Sequence, residues 1–106
     1  MDVKAWLEST KLKFEDTAWK KPPAYPYGVY MDSTSTRGAD DRLCIREHDL
    51  TIELYAETKT SLSEAESLLE ALFITNAMAF DQISRAWIES ERHWQSTYQL
   101  SFTEKF

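Results

Sequence analysis

The chain has one cysteine, two glycines and three prolines among 106 residues. A single cysteine, Cys44, excludes an internal disulfide framework and a multi-cysteine metal site, and reads as a buried small hydrophobe. Two glycines leave no glycine-rich loop to cradle a phosphate. No apolar run approaches the roughly 18 residues of a membrane span, and the amino-terminus lacks the shape of a signal peptide. The expectation is a soluble protein made and kept in the cytosol, with no membrane partner. Basic residues are also short: 12 lysines and arginines face 18 aspartates and glutamates, a net charge of −6. The deficit is local, because Glu47, Asp49, Glu53, Glu57, Glu64, Glu66 and Glu70 meet only Lys59 over that span. Such a surface repels phosphates, which argues against ordinary DNA or RNA binding. It is either a solvated face that keeps the protein soluble or a wall past which DNA moves without sticking.

What is present is globular. Hydrophobic residues make up 42% and aromatics 13% of the chain, enough for one modest core in one domain, residues 1–106. Asp2 is placed to cap a short helix over Val3–Thr10 with Trp6 and Leu7 inward. Leu12 and Phe14 alternate as a short strand. Pro22 and Pro23 stop regular structure. Tyr25, Tyr27, Val29 and Met31 then share one strand parity, with Tyr30 and Gly28 on the other, and Gly28 marks a close approach of a neighbouring chain. Residues 32–42, DSTSTRGADDR, have no periodicity and read as one long hairpin loop. Leu50, Ile52, Leu54 and Ala56 alternate inward from Thr51, Glu53, Tyr55 and Glu57. Ser61 with Glu64, repeated as Ser63 with Glu66, has the form of a capping box opening a helix that ends between Phe73 and Phe80, with Asn76 a candidate stop.

The last quarter organises the rest. Trp94, Tyr98, Leu100 and Phe102 share one parity, and Gln95, Thr97, Gln99, Ser101 and Thr103 the other, which predicts a strand with one wet face. Ile83 and Trp87 alternate with Ala86 and Ile88, as in a strand buried on both faces, pairing antiparallel through a turn near Ser90–Arg92. The rival is one helix from Ser61 to about residue 94, since Phe73, Asn76, Phe80, Ile83, Trp87 and Trp94 also fit a helical stripe. The β-branched and aromatic content after Phe80 favours strand. The predicted fold is α+β: a mainly antiparallel sheet of four to five strands, packed with two helices.

No catalytic signature is legible. His48 and Asp49 are neighbours on a strand and point to opposite faces, so they do not converge on a metal. Ser33–Thr36 supply hydroxyls without a local base. The carboxylates lie on wet faces, where nothing tunes them for acid–base work. Trp6 and Trp87 are assigned to the core, while Trp19 and Trp94, near loops or turns, are candidates for a protein interface. Neither a catalytic residue nor a cofactor or metal is expected.

Five stretches in order, AWLEST, KKPPAYPYGVYMDS, GADDRLCIREHDLTIELYAET, SEAESLLEAL and WIESERHWQSTYQLSFTEKF, resemble the tail-terminator proteins of long-tailed bacteriophages of Gram-positive hosts. These are also called tail-completion, minor capsid or neck proteins. The likeness spans nearly the whole chain, its closing stretch being the most specific part. Lys11 departs from it, standing where a glycine is expected to close the first helix. The resemblance implies a structural virion protein. Assembled in the host cytoplasm, it forms a homo-oligomeric ring, expected to be a hexamer, at the head–tail junction. The ring ends polymerisation of the major tail tube protein and docks the head-completion or connector protein, with DNA passing through. No catalysis or cofactor is implied. Arg37, Gly38, Asp40, Asp41 and Arg42, in the expected loop, then set register against a neighbouring subunit. The alternative is a head-side connector subunit or a small acidic adaptor or inhibitor of a host protein. A DNA-mimic version of it would use Glu53, Glu57, Glu64, Glu66 and Glu70.

Overall fold

A computed structural model of the chain describes residues 2–39 and 43–105, with the side chains of Arg37, Ala39, Leu43, Cys44 and Lys105 left outside that description. The elements are α1 (Val3–Glu8), β1 (Lys13–Asp16), β2 (Tyr27–Ala39), β3 (Leu43–Ala56), α2 (Lys59–Thr75), β4 (Asp81–Ile88) and β5 (His93–Lys105). The strands form one sheet in the order β1-β2-β3-β5-β4. Only β1 and β2 run parallel; the other pairs are antiparallel. This is the α+β fold that the patterning predicts.

One sheet face builds the core. Tyr30, Ile52 and Tyr98 lie in register across three strands, and Leu50 and Leu100 pair across two. Helix α2 covers them with Leu62, Ala65, Leu69 and Phe73, spaced to give one apolar stripe. Helix α1 adds Val3 and Leu7. Gly28 is where a close approach requires glycine. A Cβ there would stand 2.5 Å from the Phe14 ring and 2.9 Å from the Glu53 carbonyl oxygen. Asp2 caps α1 as expected, accepting from the Ala5 N–H at 3.1 Å.

Several expectations need correcting. The box at the start of α2 is formed by Thr58 and Ser61 rather than Ser61 and Glu64. Thr58 is extended and its hydroxyl accepts from the Ser61 N–H at 3.1 Å, so the helix opens with Lys59. The strand reading of the last quarter holds, and the rival continuous helix to residue 94 is absent. The Asn76 side chain donates to the Leu72 carbonyl at 2.8 Å, Ala77 follows at φ 54°, and β4 begins at Asp81. Residues 32–39 are strand rather than loop, paired in unbroken register with 43–50. Strand β4 is not buried on both faces but is an exposed edge, with Ile83 and Trp87 accessible. Trp87 therefore leaves the core set. The turn falls where expected, with Arg92 at φ 53°.

Candidate functional site

The long hairpin determines the shape. β3 has 14 residues, about 46 Å at 3.3 Å per residue, close to the 51 Å length of the molecule. β1 pairs with β2 only as far as Tyr30, and β4 pairs with β5 only as far as Gln99. Beyond those points β2, β3 and β5 continue as a three-stranded arm. Among the described residues, its outer flanks, 31–39 of β2 and 100–105 of β5, pair with no further strand.

The arm is polar because, among the described residues, no helix covers its far end. One face carries Ser33, Asp49 and Ser101 in register, then Ser35, Glu47 and Thr103. Ser101 donates to Asp49 at 2.5 Å. On the other face His48 is buried and stacked on Phe102 at 4.5 Å. Its Nδ1 lies 2.8 Å from Asp32 and its Nε2 2.7 Å from Glu104. The ring thus ties all three strands together at the root of the arm. The hydrogen bond from His48 holds the Glu104 carboxyl below its ordinary value. With its nitrogens engaged on opposite sides, His48 braces the sheet and does not gather ligands at one point.

The two sheet margins differ. On β1, the outward N–H of Phe14 donates to Glu8 at 3.4 Å and that of Asp16 to Glu15 at 3.0 Å. Side chains thus close that edge. No such groups cover β4 among the described residues. Its Arg85 turns inward to Glu66, 3.1 Å away, while Ile83 and Trp87 stay 55% and 39% exposed.

A cavity of about 330 Å³ lies on the sheet face opposite the helices. Its rings are Trp19, Tyr27, Tyr55 and His93. Trp19 donates from Nε1 to the Gly28 carbonyl at 2.9 Å and meets Tyr27 edge-on at 6.1 Å. Tyr25 stacks on Tyr27 at 5.3 Å and its hydroxyl lies 3.0 Å from His93 Nδ1. Burial lowers the His93 imidazole, opposed by Glu91.

Of the residues singled out from sequence, Trp19 lines this cavity. Trp94 is half-buried and packs edge-on against Trp87 at 5.8 Å. Gly38 is exposed in β2; Arg37 lies in the same strand, with its side chain outside the description. Asp40, Asp41 and Arg42 lie outside the described residues, and the side chain of Cys44 does too. Sequence reasoning missed the Tyr55–His93 floor of the cavity and the exposure of Ile83 and Trp87. The floor depends on the register that sets Tyr27 opposite Tyr55, which no local pattern carries, and nothing local marked β4 as an edge. The five-carboxylate array does not form one surface. Glu66 holds Arg85 and Gln82, Glu70 accepts from the Tyr98 hydroxyl, and Glu53 from that of Tyr55. No helix among the described residues is long and apolar enough to cross a membrane. No family model and no curated protein matches the chain.

Proposed function

We propose that the chain is a structural virion subunit. Copies of it form a ring at the head-proximal end of a phage tail tube, stop tube growth and dock the head connector, with DNA passing through. The observation that carries this reading is the pattern of open strand edges. A monomer with two unpaired arm flanks and an uncovered apolar edge strand has surfaces that a further strand satisfies.

Charge supports a head-to-tail contact. Residues 2–21, at the β1 margin, carry five lysines against four carboxylates. Asp2 and Glu8 among the latter are engaged in backbone bonds, and Glu15 stands 3.9 Å from Lys4. Residues 57–91, running through α2 and β4, carry seven carboxylates against Lys59 and Arg85; of these Glu66 holds Arg85 and Glu70 accepts from the Tyr98 hydroxyl. Opposite margins of opposite sign favour a heterologous contact, and such contacts form rings where the rotation between copies closes. The Ser, Thr, Asp and Glu side chains on the open arm face suit a wall past which DNA slides, because carboxylates form no ion pairs with phosphates. In this reading the subunit has no catalytic role and resides in the virion.

The test is mass by light scattering across concentration. A step from monomer to one closed multiple supports the reading; a monomer throughout, at low salt and high concentration, counts against it. The DNA-mimic alternative loses support from the inward bonds of Glu53, Glu66 and Glu70.

A further inference from the structure

The aromatic cavity is already formed in the single chain. The bond from Trp19 to the Gly28 carbonyl sets its ring on one wall. Tyr27 and Tyr55, 5.4 Å apart, form the floor. Glu91 stands on the rim, and no basic side chain pairs with it among the described residues. Its field reaches inside. Burial pushes up the Tyr27 and Tyr55 phenols, followed by Tyr25 at the first and by Glu53 at the second, with Glu91 a smaller contribution at both. His93, also on the floor, is held toward its neutral form by burial and supplies no competing charge. Lys20 and Lys21 follow Trp19 in sequence, yet no lysine or arginine lines the cavity among the described residues.

Aromatic rings and a carboxylate lining a space without a cation attract positive charge on an apolar stem. We propose that this cavity receives the charged head of a lysine or arginine side chain presented by a partner protein. The rings embrace the alkyl stem and face the cation, and Glu91 supplies the counter-charge. The inference is independent of the ring assembly, since it concerns a site complete within one chain.

The experiment uses the full ¹⁵N-labelled chain at low salt. It is titrated with N-acetyl-lysine amide and N-acetyl-arginine amide, and with N-acetyl-norleucine amide as the uncharged counterpart. At least one cationic probe is expected to give saturable shifts at the Trp19 indole N–H and the Thr17 and Gln95 amides, with the uncharged probe weaker. Glu91→Gln, a change at an exposed side chain, is expected to weaken the cation about threefold or more. Tyr55→Leu should do the same, with unshifted α2 amides reporting an intact fold. Equal binding of the norleucine probe, unchanged affinity in Glu91→Gln, or no saturable shift with any probe overturns the proposal.

Discussion

Lys11 sits at φ 77°, in the left-handed region. An L side chain there costs about 1 kcal/mol, which glycine avoids. Glycine at this position is also what the family resemblance expects. Lys11→Gly should stabilise the fold by up to about 0.5 kcal/mol after glycine's own entropy is subtracted; chemical denaturation measures it as a higher midpoint at constant slope. Two titrating residues set an acid response of one sign. The folded-state value of His93 is lowered by burial. The unfolded chain therefore binds the extra proton more readily, and stability falls as pH drops below about 6.5. Glu104 is held below the ordinary 4.5 by its bond from His48, so its contribution is present above that value and is lost as pH falls through the folded one. Thermal melts should show two successive losses on acidification, and His93→Gln should remove only the first.

At the scale of elements, the difference between the two sheet edges matters most. β1 has its free N–H groups met by Glu8 and Glu15, whereas β4 exposes Ile83 and Trp87. Ile83→Lys places a charge on that edge and should change monomer stability by no more than about 0.5 kcal/mol, while reducing self-association. Sedimentation at matched concentration checks both halves. The legibility of each element follows from burial. The strands over the core were readable because Leu50, Ile52 and Leu54, and later Tyr98 and Leu100, alternate against a helix-covered face. Residues 32–39 were not, because apolar alternation records a covered face and no described element covers the end of the arm. β4 misled in the opposite sense, since Ile83, Trp87 and Ile88 have the composition of a core strand in an edge position. The Thr58–Ser61 box was hidden by Ser61–Glu64, which fits the same pattern one turn later. In the cavity, Trp19 was legible as an aromatic near prolines. Tyr55 and His93 needed the register of the sheet to bring them together.

The whole molecule is an asymmetric plate, 51 × 28 × 22 Å, with a helix-covered core at one end and a polar arm at the other. Its β1 margin is rich in lysine, and the α2–β4 segment that ends at the opposite margin is rich in carboxylates. If those margins meet between copies, association weakens as salt rises, because exposed charges are screened within about 10 Å at 0.1 M. The oligomer fraction should therefore drop between low and high salt while the melting temperature of the monomer changes little. The central claim is that copies of this chain close over the end of a growing tube. Electron microscopy of tail tube protein polymerised with and without the chain tests it most directly. The account predicts tubes that stop growing and carry a ring-shaped cap at one end when the chain is present. Tubes that lengthen without limit and end bare in its presence would contradict it.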